Sequence, residues 1–84
     1  MFYYVYVIES IKDGKFYIGC TSNVDRRLKE HNKGLSKYTK NFRPWMLKYT
    51  ESFDELSLAR RREKQLKSWK KRSAIERLFH GPIV

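Results

Sequence analysis

Residues 2–21 read FYYVYVIESIKDGKFYIGCT, two runs of aromatic and β-branched residues on either side of Asp13-Gly14. Such residues suit a pleated, half-buried strand, and Asp-Gly is among the dipeptides that close tight hairpins. The stretch predicts two antiparallel strands, Phe2 to Ser10 and Phe16 to Thr21. With Asp13-Gly14 as a two-residue loop, Tyr17 falls opposite Ser10, Gly19 opposite Ile8 and Thr21 opposite Tyr6. Directly paired residues share a face, so Tyr6 and Tyr17 project from one side of the sheet, with Gly19 leaving room between them. A slip of one residue would destroy this arrangement.

Beyond the hairpin, Ser22-Asn23-Val24-Asp25 opens a helix predicted over residues 22–33, and Gly34 stops it. Val24, Leu28 and Leu35 mark its inward stripe, and Arg27 and His31 fall on the same stripe. Arg26, Lys29, Glu30 and Lys33 fall on the solvated side. Residues 36–44 form a polar, basic loop closed by Pro44, whose Tyr38 and Phe42 either tuck over the core or stack on bases. Trp45 to Thr50 reads as a third strand. Ser52-Phe53-Asp54-Glu55 has the capping-box pattern for a second helix running to about Trp69. Ser73-Ala74-Ile75-Glu76 has it for a short third helix ending before Gly81-Pro82. The expected fold is α+β, a small three-stranded antiparallel sheet packed with helices in the order ββαβαα. Residues 1–84 are expected to make one domain, since a chain this short cannot bury two cores.

Charge narrows the partners. The formal net charge is +10, with five basic and four acidic side chains over residues 1–30 against 14 and five over residues 31–84. Such one-sided positive charge suits a polyanion, because each Lys or Arg that neutralises a phosphate releases condensed counterions. Arg60, Arg61, Arg62, Lys64, Lys70, Lys71 and Arg72 are the side chains expected to meet nucleic acid. Cys20 is the lone cysteine, which excludes an intrachain disulfide and an all-cysteine metal site and suits a reducing cytoplasm. The apolar run Phe2 to Ile8 is too short for a bilayer span and lacks a basic leader, so no membrane association is expected.

Two helical patterns carry chemistry. Leu56, Ala59, Glu63 and Leu66 recur at helical spacing, placing the Glu63 carboxylate in an otherwise apolar stripe. Ionised carboxylates are seldom buried without a partner. Lys67, four residues on, is one candidate partner. The other is a hard cation, Mg²⁺ or Mn²⁺, which binds through one or two carboxylates and keeps several waters. Arg27 and His31 stand one turn apart, where an arginine can hold a phosphate bidentately and a neutral imidazole can accept a proton. The same pair also reads as an arginine that snorkels beside a histidine satisfied at the core edge. Two histidines and one cysteine scattered along the chain exclude nucleophile-triad and zinc-ligand spacings.

The ordered set Tyr4-Val5-Tyr6, Tyr17-Ile18-Gly19, Arg27, His31, Ala59, Glu63 and Lys67 resembles the GIY-YIG endonucleases. The likeness extends to Gly14, to Thr39 in the Gly34 to Pro44 segment, and to the Leu47 to Tyr49 strand. It is greatest to the small stand-alone bacterial members, related to the nuclease domain of excinuclease C and to phage homing endonucleases. The resemblance implies a divalent-metal-dependent nuclease that hydrolyses phosphodiester bonds, expected in DNA and in repair or recombination. Tyr6 and Tyr17 would line the reaction centre, Arg27 would steady the scissile phosphate, and Glu63 would anchor one Mg²⁺ or Mn²⁺. Tyr6 or His31 would help deprotonate the attacking water, and Gly19 would be the structural glycine of the second tripeptide. Tyr4 departs from the pattern by standing where the family name has glycine, and the C-terminal polar residue that supports the site in homing enzymes has no counterpart. A non-catalytic nucleic-acid-binding module and a basic protein-interaction domain are the competing readings. Neither needs a carboxylate on the inner stripe of a helix.

Overall fold

The computed structural model describes residues 1–80; Gly81-Pro82, the expected stop of the last helix, lies outside the described residues. Strands β1 (Tyr3–Ser10), β2 (Phe16–Thr21) and β3 (Trp45–Phe53) alternate with helices α1 (Val24–Lys33), α2 (Leu56–Ser68) and α3 (Arg72–Glu76) in the order ββαβαα. Short 3-10 turns occupy Lys40–Phe42 and Arg77–His80. The sheet is antiparallel with order β2-β1-β3, which gives the α+β architecture expected from the sequence. No helix of the described residues is long and apolar enough to cross a membrane.

The centre of the sheet goes to the most apolar stretch. Val5, Tyr6, Val7 and Ile8 are all buried, because β1 is hydrogen-bonded on both edges and covered on both faces. Alternation sends Val5 and Val7 one way, against Ala59, Leu66 and Ile75 of α2 and α3. Tyr6 and Ile8 point the other way, against Trp45, Tyr17, Leu28 and Phe42. Burying each large apolar side chain contributes roughly 1.5–3 kcal/mol, so the short central strand anchors two small cores at once. The second of these cores positions the candidate site.

The hairpin differs from expectation. Ile8 pairs with Tyr17 and Tyr6 with Gly19, a register two residues away from the one set by a two-residue loop. The closing pair is Ser10 and Lys15, whose backbones bond at 2.8 Å, and four residues turn between them. Ser10 is the cause: its Oγ accepts from the amides of Lys12 at 3.2 Å and Asp13 at 3.1 Å, an ST-type turn that widens the loop. Gly14 supplies the left-handed residue this turn needs, at φ 78°. A shift of two preserves the faces, so Tyr6 and Tyr17 still share one.

Helix starts differ too. α1 starts at Val24, two residues later than expected, with Asn23 rather than Ser22 as its cap; the Asn23 side chain accepts from the Arg26 amide, and Gly34 ends the helix as expected, at φ 81°. Neither of the other two capping boxes forms. β3 runs on to Phe53, through Ser52, and α2 starts only at Leu56 with no side-chain cap. Ser73 lies inside α3, whose cap position is Lys71. In both places strand pairing or packing outweighs the order of 1 kcal/mol a cap contributes. Leu35 and Leu56, assigned to inward stripes, are exposed, because each sits at a helix end that has already left the core.

Ser10 is 1% exposed, and its hydroxyl also donates to the Phe42 carbonyl at 2.6 Å, tying the hairpin to the loop before β3. Ser10→Ala leaves that carbonyl and two amides unpaired and is expected to lower stability by about 1–3 kcal/mol in urea denaturation. Leu35→Ala, on the exposed side chain, is expected to change it by less than about 0.5 kcal/mol.

Candidate active site

Because Gly19 pairs directly with Tyr6, the tyrosine ring lies across a position that has no side chain. A Cβ added at Gly19 would collide with both the ring and the hydroxyl of Tyr6. The glycine is therefore a seat for the ring. Seated there, Tyr6 is 2% exposed and its hydroxyl meets His31 Nε2 at 2.9 Å. The opposite imidazole nitrogen, Nδ1, meets Thr39 Oγ1 at 2.7 Å. His31 and Thr39 are both fully buried, so the three side chains form a dry hydrogen-bonded row from strand to helix to loop.

The row is fixed from outside. The Thr39 carbonyl accepts from Trp45 Nε1 at 2.9 Å, and Asn32 of α1 clips the Trp45 backbone with bonds of 2.6 and 3.1 Å. Tyr17 closes the near side, with ring centroids 5.1 Å from His31 and 6.4 Å from Tyr6. Burial pushes the Tyr6 phenol up to about 12; Tyr17 adds to the rise, Arg27 opposes it, and Glu63 adds a last, smaller push. Burial pushes the His31 imidazole down to about 4, helped by the Arg27 charge and opposed by Glu30. At neutral pH the phenol is thus protonated and the imidazole uncharged. Where the phenol O–H donates to Nε2, Nδ1–H donates to Thr39 Oγ1.

Arg27 stands at the rim, its side chain 33% exposed against 66% for Arg26, as the helical spacing anticipated. It donates to Glu30 Oε1 at 3.0 Å. Glu30, placed on the solvated side by spacing, is in fact half-buried and held between the two arginines.

Glu63 comes from a different layer. Ala59 and Leu66 of the same helix pack on Val5 and Val7, the face opposite the tyrosines. The Glu63 carboxylate nevertheless acts on groups of both faces: it raises Cys20, whose main cause is burial, and it raises Tyr6. Glu63 Oε2 accepts from Lys67 Nζ at 2.8 Å, the helical partner foreseen from spacing. Oε1 receives no hydrogen bond from the described residues, and no buried side-chain oxygen or nitrogen among them is left unpartnered, so Oε1 is reached by solvent.

The basic side chains divide. Arg60, Arg61, Lys64, Lys70 and Lys71 are exposed. Arg62 is not offered to a ligand: it grips Glu51 with bonds of 2.9 and 3.0 Å and also donates to Gln65. Arg72 is likewise held, by Glu9 at 2.7 Å and by stacking on Phe16 at 3.9 Å. Charge counting could not see these ties, since Glu51 and Glu9 lie in strands distant in sequence.

A family profile described as the GIY-YIG catalytic domain matches residues 2–76. The chain belongs to the GIY-YIG family. It is 47% identical over 78 residues to a UPF0213 protein of Halobacterium salinarum, covering 92% of this chain and 99% of that one. It is 40% identical over 75 residues to one of Staphylococcus haemolyticus, covering 88% and 90%. The solution structure of a UPF0213 protein from Bacillus halodurans superposes with a TM-score of 0.60 at 40% identity, over 98% of this chain and 89% of that one.

In this GIY-YIG chain the two tripeptides are the strand segments that carry Tyr6, Tyr17 and Gly19, and the substitution of Tyr4 for glycine falls one pleat away from the Tyr6 ring. Sequence reasoning missed Asn32 and Trp45, and it met Thr39 only as part of the resemblance. A Pro-Trp pair ending a basic loop was the available signal for Trp45, whereas nothing local marked Asn32 as a clip.

Two outcomes follow from this geometry. Gly19→Ala is expected to displace the Tyr6 ring and cost about 1–3 kcal/mol in thermal or urea unfolding, the range for overpacking a filled site. His31 is expected to titrate near 4 by chemical shift. The unfolded chain binds a proton near 6.5 that the fold binds only near 4, so stability from this group is complete above 6.5 and is lost as pH falls toward 4. A midpoint near 6.5 would show a ring that is not desolvated.

Proposed function

We propose that this GIY-YIG domain is a divalent-metal-dependent endonuclease that hydrolyses phosphodiester bonds in nucleic acid, with DNA the expected substrate. The observation that carries the reading is the gathering of Tyr17 and Arg27 around the Tyr6–His31–Thr39 row on one face of the sheet.

A phosphodiester resists attack because its own charge repels an incoming oxygen, so positive charge must gather where the transition state is most negative. Arg27 supplies a guanidinium that is half-buried, so its field is less screened than that of Arg26. Tyr17 and Tyr6 border the same ground. Tyr6 is protonated at rest because burial holds its pKa high, and the charge of Arg27, which opposes that rise, would favour the phenolate able to take the proton of the attacking water. His31, fully buried, acts only through Tyr6, and Thr39 holds its orientation.

The donor set suits Mg²⁺ or Mn²⁺. Glu63 offers one hard carboxylate oxygen open to solvent, and no group of three His, Cys, Asp or Glu gathers among the described residues. That is the sparse, water-rich coordination magnesium accepts and zinc does not. When bound, the ion would supply charge to the phosphate and lower the pKa of its water.

Arg27→Ala is expected to slow cleavage about 10²–10³-fold, the scale for removing one transition-state charge partner, while Arg26→Ala stays near the parental rate. Glu63→Gln is expected to abolish Mg²⁺- and Mn²⁺-dependent cleavage with little change in the unfolding midpoint, since an i,i+4 pair at the surface contributes only about 0.2–0.5 kcal/mol. Cleavage assays beside an EDTA control check both. Equal losses in the two arginine variants would remove Arg27 from the site. A parent protein that binds nucleic acid but cuts none of the substrates offered would favour the binding-module reading.

A further inference from the structure

Apart from the Tyr6–His31–Thr39 row, the described residues form a groove of about 550 Å³ along the free edge of β2. Lys15, Tyr17, Tyr38, Trp69, Lys70 and Lys71 line it. Five of its lining side chains are cationic and none is acidic. Lys67 and Arg72 are held by carboxylates and Lys15 lies over the Phe42 ring at 4.0 Å, while Lys70 and Lys71 carry no ion pair among the described residues. Tyr38 is 59% exposed, and its ring leans against Tyr17 at a centroid distance of 5.8 Å. Tyr17 therefore belongs both to this groove and to the catalytic row.

We propose that this groove seats an unpaired stretch of nucleic acid, so that the domain acts on strands whose bases beside the cut phosphate are not in a duplex. The inference rests on the nuclease reading and goes beyond it by naming the structure of the substrate. Aromatic faces and free cations in one channel are what a single strand needs, since every unpaired base has a face to stack and every nucleotide a phosphate to neutralise. A duplex hides its base faces and offers only phosphates, for which the exposed Tyr38 and the half-buried Trp69 would be of no use. The groove has the volume of a ligand pocket, which suits a few nucleotides. Its continuity with Tyr17 leads the strand to Arg27 and Tyr6.

The test is binding, measured in EDTA so that it does not depend on turnover. Fluorescence anisotropy would compare a labelled single strand with a blunt duplex of the same sequence, each as DNA and as RNA, at physiological salt. The single strand is expected to bind at least about tenfold tighter than the duplex. Tyr38→Ala is expected to weaken it by about 5- to 100-fold, the effect of losing one stacked base. Tyr38→Phe should retain binding, and duplex affinity should be the same in all three proteins. The tighter of the two single strands identifies the backbone. Equal affinity for strand and duplex, or a Tyr38→Ala loss shared equally by both, overturns the proposal while leaving the nuclease reading intact. Failure to bind any nucleic acid overturns both.

Discussion

A tyrosine ring can lie across a neighbouring strand only where that strand offers no side chain, and the pairing of Tyr6 with Gly19 meets this condition at the centre of the sheet. Everything in the candidate site is measured from that contact. It turns the phenol toward α1, where His31 waits at the right turn of the helix. The glycine is thus a steric requirement of the neighbouring ring and not a concession to backbone freedom; it does not adopt a positive φ.

Burial then sets the chemistry. The same desolvation that raises Tyr6 lowers His31, so the pair is driven toward its neutral forms and shares a hydrogen bond instead of a charge. Charged groups remain at the rim, where Arg27, Glu30 and Glu63 stay partly wet. The arrangement separates a dry hydrogen-bonded row from a wet, charged surface.

Much of this was legible in the residues, for reasons that can be stated. The hairpin register was off by two, yet both tyrosines kept their face, because only an odd shift exchanges faces. The Glu63–Lys67 pair and the separation of Arg26 from Arg27 followed from helical geometry alone. Ser52 and Ser73 misled because serine favours a cap only where the chain is free to start a helix, and β3 had not yet ended at Ser52. The ties of Arg62 to Glu51 and of Asn32 to Trp45 join a helix to a strand, so no spacing rule within one element could reveal them. Glu63 was placed correctly on its helix, but which layer that helix would cover depends on the sheet order.

Thr39 faces two ways. Its hydroxyl orients His31, and its carbonyl receives both the Trp45 indole and the Phe42 amide. The loop is therefore pinned at its midpoint, and residues 35–38 form a short surface span between Gly34 and that pin, tied by the Leu35 amide to Glu30 and by the Ser36 carbonyl to Lys40. Leu35, Lys37 and Tyr38, all exposed, lie in this span. Changes there can reshape the groove wall while the pinned half keeps the imidazole in place. A single loop so divided serves the buried row with its constrained half and the surface with its exposed one, and the two meet at a buried threonine.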